Sequence, residues 1–309
     1  MAMPPPTGGT WDCHVHCFEP DRFPFKTRRA YTPRRAPLDV LLQQLLTTNV
    51  MIVQASIEAS WHGLLASLED CGKRPKLLSG LVRGTILADA STPLSGLTHG
   101  QMERMHLLGV RCIRLHGVYG GSGHDPAWAQ GQITALAEHL RPIDSNGIII
   151  IIMRPVQSLG WSVSAQLPLA TWAQLKHFIL TDKHLAGLSI VADHIACVAP
   201  SDYGSDALHD LVELLQSGRL YIKISALHRR SPHNIHAKKD IVTLLARVAP
   251  RALLWGSDWP HVDTSQTDLE AGPLQGVHAG AELAAVQSWL SAQQLQDMLV
   301  NNPCRLFGN

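Results

Sequence analysis

What this sequence lacks removes several classes of function at once. It has almost no charge imbalance: 26 lysines and arginines stand against 25 aspartates and glutamates, a net charge of +1. Such a chain has no electrostatic reason to bind nucleic acid or an anionic membrane surface. It has no long hydrophobic run; GIIIIIM at 147–153 is far too short to span a bilayer. The opening MAMPPPTGG carries no apolar leader core, so secretion is not expected. No C-x-x-C pair occurs. The six cysteines, Cys13, Cys17, Cys71, Cys112, Cys197 and Cys304, are scattered and read as reduced core residues of a cytoplasmic protein. There is no internal repeat, and no G-x-G-x-x-G turn follows the first strand, which removes the main signature of a dinucleotide-binding domain.

What is present is alternation. Short apolar, β-branched runs at 10–18, 49–56, 77–86, 110–117, 147–153, 188–196, 220–226 and 253–259 read as eight strands. Amphipathic stretches near 38–48, 61–72, 95–109, 127–146, 168–184, 205–218, 236–249 and 279–300 read as helices between and after them. At the end, NNPCRLFG places Asn302 as a cap and Pro303 as the first residue of a short final turn. Continuous apolar strands alternating with helices predict a parallel sheet covered by helices. Eight such units predict a single-domain (β/α)8 barrel of the α/β class, for which ~250 residues is an ordinary length. Residues 1–9 are expected to be a flexible segment ahead of a barrel domain spanning 10–309.

The polar residues fall at strand ends, where a barrel builds its active site. The first strand reads WDCHVHCF. Strand alternation points His14 and His16 to one side and Cys13, Val15 and Cys17 to the other. Arg114 and His116 end the fourth strand, Arg154 follows the expected fifth, and Asp193 and His194 end the sixth. Lys223 and Ser225 lie in the seventh, with His228 and Arg229 beyond, and Asp258 and His261 end the eighth. Each has a bland alternative. A lone strand histidine is usually a hydrogen-bonded core residue, Arg154 or Lys223 reads equally as a solvated or salt-bridged strand end, and Trp255 and Trp259 read as wall. Their gathering at one rim is what independent core residues would not produce.

These segments resemble the amidohydrolase superfamily, in the amidohydrolase-2 branch that includes the 2-pyrone-4,6-dicarboxylate lactonases and related lactone hydrolases. The resemblance rests on DCHVHCFEPDRFPFKTRRAYTP, VADH, KIS followed by Arg229, LLWGSDWPH and NNPCRLFG. It implies a hydrolase acting on ester bonds, with Asp258 activating water and His14, His16 and His194 around the reacting carbonyl. It also implies that Arg114 and Arg229 hold substrate carboxylates. His116, Arg154, Lys223, Ser225 and His261 complete the candidate substrate-binding set. The chain departs from that pattern in two places. Where metal-dependent relatives carry a strand 5 histidine, IIIIIMRP offers Met153 and Arg154, and the second arginine after strand 4 is missing, with Gly120 near its place.

A lactone is an activated ester, so carboxylate base and imidazole donors can serve without a Lewis acid. The preferred reading has no cofactor. The opposing one has a single zinc or manganese held by His14, His16 and Asp258, in a metallohydrolase or nonoxidative decarboxylase. The expected partner is a small lactone or ester, including one that bears a carboxylate. The basic loop HRRSPHNIHAKK at 228–239 reads either as solvated or as a collar for such an anion.

Overall fold

The computed structural model describes residues 9–73, 80–88, 97–117, 122–139, 159–231, 234–265 and 270–308. Eight strands form one sheet in sequential order: β1 (Trp11–Val15), β2 (Asn49–Val53), β3 (Val82–Ala88), β4 (Val110–His116), β5 (Ser162–Gln166), β6 (Ile190–Ala192), β7 (Leu220–Ser225) and β8 (Leu253–Gly256). All seven pairings between neighbours are parallel. The ring closes just past β8. The amide of Asp258 donates to the carbonyl of His14 (2.9 Å), that of His16 donates to Trp259 (2.8 Å), and Val15 bridges Trp259. This is a (β/α)8 barrel.

Strand parity sorts the side chains. Val50, Ile52, Ile113, Leu115, Val163, Ala165, Ile190, Ala192, Ile222, Ile224, Leu253 and Trp255 belong to the large cluster shared with the helices. Trp11, Cys13, Met51, Val53, Cys112, Val191 and Leu254 form a second, smaller cluster inside the ring. The helices bury matching stripes. Asp206–Gln216 buries Leu208, Leu211, Leu214 and Leu215, and the Ser205 hydroxyl caps it by accepting from the Leu208 amide (3.2 Å). Among the described residues, no helix is long and apolar enough to cross a membrane.

Four expectations need correcting. The fifth strand is Ser162–Gln166, not 147–153, and 147–153 together with Arg154 lies outside the described residues. WSVSAQL has the period-two pattern of a half-polar strand: Trp161, Val163, Ala165 and Leu167 alternate with Ser162, Ser164 and Gln166. A run of isoleucines outshone it. Second, Cys13 does not point away from the histidines. The pairing register slips between Asp12 and Val15, so Cys13 and His14 together oppose Met51 across a bulge, and Cys13 joins the interior cluster. Third, Asn302 is not a cap. It lies within continuous helical backbone, fully buried, and its Nδ2 donates to the carbonyls of Pro250 and Leu253 (both 2.8 Å). Fourth, all six cysteines are free, but only Cys13, Cys71 and Cys112 are buried; Cys17 and Cys197 are half-buried and Cys304 is exposed.

Candidate active site

The bulge in β1 brings His14 and His16 to the inner face together, their rings 5.0 Å apart. Gly256 makes room for this approach: a Cβ there would stand 2.7 Å from the Cβ of His14. Asp12, one step earlier, ties the seam. Its Oδ1 accepts from the amides of His14 (3.1 Å) and Ser257 (3.0 Å), and burial pushes its carboxyl up to about 6. His194 and Asp258 arrive on unusual backbone. All seven described non-glycine residues with positive φ sit just past β6, β7 and β8: His194 to Cys197, Ala226, Asp258 and His261. Conformations of this kind cost on the order of 1–3 kcal/mol each and persist where the surrounding fold imposes them.

Asp258 is the hub. Its Oδ1 lies 3.9 Å from Nε2 of His14, 3.8 Å from Nε2 of His16 and 3.9 Å from Nε2 of His194. Its Oδ2 accepts from Nε (2.9 Å) and Nη2 (2.8 Å) of Arg229. Burial by itself would raise the Asp258 pKa, but Arg229 and the imidazoles hold the carboxyl well below the usual carboxylate range. Burial drives the imidazoles the other way: His16 falls to about 4, His194 to about 3, and His14 well below its ordinary value. They are neutral at physiological pH, so Arg229 is the lasting counter-charge.

Second contacts set each ring. His16 Nδ1 meets the carbonyl of Val53 at 2.7 Å, and a carbonyl can only accept, so the hydrogen is on Nδ1 and Nε2 is an acceptor. The His16 ring stacks on Phe18. His194 Nδ1 meets Ser225 Oγ at 2.9 Å. Beneath them, Asp193 is fully buried between two cations: Oδ1 to Lys223 Nζ at 2.9 Å, Oδ2 to Arg114 Nε at 2.8 Å. Those cations overcome burial and keep its carboxyl well below the usual range. Arg114 also donates from Nη2 to Gln166 Oε1 (2.9 Å), and Lys223 Nζ lies 3.3 Å from His14 Nδ1.

The structure therefore gathers His14, His16, His194, Asp258, Arg229, Arg114, Lys223 and Ser225 into one contact network. Half-buried His116 stands above Arg114, and burial followed by Arg114 pushes it down to about 3. His261 packs instead against His228 (ring centroids 5.6 Å), whose Nδ1 pairs with Glu282 at 2.8 Å. The 228–239 loop is not a uniformly solvated basic collar: Arg229 turns onto Asp258, and buried Lys238 donates to the carbonyl of Val198. Sequence reasoning missed Asp12, Gln166 and Gly256 as parts of the site. Only Gln166 had a signal, the alternation of WSVSAQL. A cavity of about 630 Å3 is lined by Asp12, Trp259, His261, Arg34 and His278 among others, and by none of the three imidazoles around Asp258.

One ligand atom each from His14, His194 and Asp258 lies within 4.8 Å of the others, a grouping that could hold a metal ion. The sequence profile of the amidohydrolase family (Amidohydro_2) matches residues 11–308, which takes in every residue of the network. The chain belongs to the amidohydrolase family. Among its relatives, a 4-sulfomuconolactone hydrolase from Hydrogenophaga intermedia is 24% identical over 318 residues, covering 100% of this chain and 90% of that protein. A 2-pyrone-4,6-dicarboxylate hydrolase from Comamonas testosteroni is 25% identical over 97% of this chain and 90% of its own length. In three dimensions the amidohydrolase barrel is similar to a probable 2-pyrone-4,6-dicarboxylic acid hydrolase from Acinetobacter baumannii, solved with citric acid bound. The TM-score is 0.69 at 20% identity, over 97% of this chain and 99% of that one.

Proposed function

We propose that this amidohydrolase opens a lactone, or cleaves a related carboxylic ester, with water activated at Asp258. The observation that carries the reading is one carboxylate oxygen facing three buried imidazole nitrogens at 3.8–3.9 Å, at the rim where a barrel does its chemistry. The lactones named in its relatives support the substrate class.

Asp258 Oδ1 and His16 Nε2 are both acceptors, close enough for one water to donate a hydrogen to each. That leaves the water oxygen's lone pair for the carbonyl carbon. His16 cannot also serve the carbonyl oxygen, because its neutral Nε2 has no hydrogen to give; His14 and His194 take that part. Asp258 is a weak base at rest, clasped as it is by Arg229. As the oxyanion forms nearby, its negative charge raises the proton affinity of Asp258, and the water proton moves to Oδ1. Collapse breaks the bond to the ring oxygen, which takes that proton back, and the product is a hydroxy acid.

Nε and Nη2 of both rim arginines are occupied by Asp258, Asp193 and Gln166. This supports a neutral or monoanionic lactone over a dicarboxylate. For a metal, the donor set fits poorly. The fifth strand ends in Gln166, whose carbonyl oxygen already serves Arg114, and His14 is backed by an ammonium where a ligating histidine ordinarily has a carboxylate, carbonyl or water to donate to.

The test is proton release in a pH-stat with a panel of lactones and esters, using the full chain and Asp258→Asn. Ring opening by the unaltered protein, lost by at least ~10²-fold in the variant, is the expected result. Undiminished turnover by Asp258→Asn would overturn the mechanism.

A further inference from the structure

Lys223 is 1% exposed in the middle of β7, and the proposed hydrolysis leaves it without a task. It is not an isolated core lysine. Its Nζ is 2.9 Å from Asp193 Oδ1, an ion pair with both side chains buried, and 3.3 Å from Nδ1 of His14. The competing contact, His14 Nδ1 to Asp193 Oδ1, is 3.7 Å, beyond hydrogen-bond length. On the far side of the same ring, Nε2 of His14 is buried with no hydrogen-bond partner and stands 3.9 Å from Asp258 Oδ1.

An ammonium has hydrogens to give and no lone pair to receive one. The nitrogen it faces must be the acceptor of a neutral imidazole, so the ring hydrogen goes to the other nitrogen. We propose that Lys223 is a positioning residue that fixes His14 as the Nε2–H form, making it a hydrogen-bond donor aimed into the site and removing it as a metal ligand. The two histidines of the H-x-H pair then have opposite duties. His16, with its hydrogen on Nδ1 toward Val53, presents an acceptor; His14 presents a donor. One receives from water and the other gives to the carbonyl oxygen. That division rests on the hydrolase reading, whereas the ring's hydrogen position does not.

The same contact bears on metal choice. Without the ammonium, Nδ1–H of His14 could turn to Asp193, leaving Nε2 with a bare lone pair beside His194 and Asp258. Those three already stand within 4.8 Å of one another. A carboxylate behind a histidine in this way is the ordinary second layer of a zinc site. Lys223 is thus what separates an oxyanion-donor site from a metal site built of the same side chains.

The measurement is two-bond 1H–15N correlation of the imidazoles in the full, 15N-labelled chain near neutral pH, without substrate. His14 is assigned by the signals lost in His14→Gln. The expected pattern is hydrogen on Nε2 of His14 and on Nδ1 of His16. In Lys223→Met, which keeps the length and removes the donor, the His14 pattern reverses. Zinc retained after gel filtration, measured by elemental analysis, rises by at least ~10-fold, the size of effect second-layer partners have on metal affinity. Hydrogen on Nδ1 of His14 in the unaltered protein overturns the proposal, and so does a folded Lys223→Met with an unchanged pattern. If Lys223→Met does not fold, the unaltered spectrum decides alone. Failure of every lactone in the pH-stat would sink the hydrolase reading and leave this result standing.

Discussion

Arg229 holds Asp258 by one oxygen only. Both guanidinium contacts, Nε at 2.9 Å and Nη2 at 2.8 Å, fall on Oδ2, and Oδ1 is left to the three imidazoles. The carboxylate is therefore divided into a structural half and a reactive half. The clasp fixes its orientation and keeps it ionised, at the cost of basicity. An arginine beside an aspartate lowers its pKa by roughly 1–3 units.

Removing the clasp should show in the titration of the carboxyl itself. The acid limb of the rate follows His16, which must stay an acceptor and takes up its proton at about 4, above Asp258. In Arg229→Met the Asp258 pKa rises by roughly 1–3 units, read from its 13C carboxyl shift against pH. An unmoved titration would mean that Arg229 does not govern the carboxylate.

Gly256 and His14 make a second, purely steric prediction. A Cβ on residue 256 meets the Cβ of His14 at 2.7 Å and its backbone nitrogen at 3.0 Å, and backbone on a closed ring cannot step aside cheaply. Gly256→Ala should push His14 off its line to Asp258. A displacement near 1 Å costs on the order of 10²-fold in rate, while overpacking costs about 1–3 kcal/mol of stability. Lactone turnover and urea unfolding, measured on the same preparation, check both halves.

Much of this arrangement is legible in the residues alone. His14, His16, His194 and Asp258 lie at strand ends because barrels put their chemistry there, and seven of the eight strand positions follow from apolar runs. The fifth strand did not. Its inner face is Ser162, Ser164 and Gln166, so it lacks the continuous hydrophobicity of a doubly buried strand, and GIIIIIM supplied a stronger signal nearby. The contacts of Arg229 and Arg114 were also out of reach. Sequence marks an arginine at a rim but not whether a protein carboxylate reaches it first. Here Asp193 and Asp258 do, 79 and 29 residues away along the chain. The bulge that turns Cys13 inward beside His14 breaks the parity rule on which the strand reading depends.

Acid should weaken the fold earlier than it protonates the site. His14, His16, His116 and His194 all have pKa values lowered in the folded chain, chiefly by burial. In the unfolded chain they take up protons near pH 6.5, so as pH falls below that value the unfolded state binds protons the folded state refuses. The contribution of these rings is full above ~6.5 and declines toward pH 4. For His16 alone, moving from 6.5 to about 4, the loss is on the order of 3 kcal/mol. Asp193 and Asp258, with lowered values, add their losses only below ~4. Urea midpoints should drop steadily between pH 7 and 4.5, and His16→Gln should flatten that slope. A slope that His16→Gln leaves unchanged would contradict the burial of that ring as a neutral group.

Glu58 predicts a slope of the opposite sign. It follows β2, is buried, and its Oε2 accepts from the amide of Ala55 at 2.6 Å. Burial raises its pKa to about 8, against the opposing pull of the Ala55 amide and Lys26. The unfolded carboxyl ionises near 4.5 while the folded one keeps its proton to about 8, so this group's contribution is complete below 4.5 and is lost as pH rises to 8. Glu58→Gln removes the ionisation, and its side-chain carbonyl still receives the Ala55 amide. Relative to the unaltered chain, the variant should gain in Tm as pH rises from 5 to 9, by several degrees. Paired calorimetric scans at these two pH values test it, because a Tm difference that stays constant would mean that Glu58 carries its charge in the folded protein.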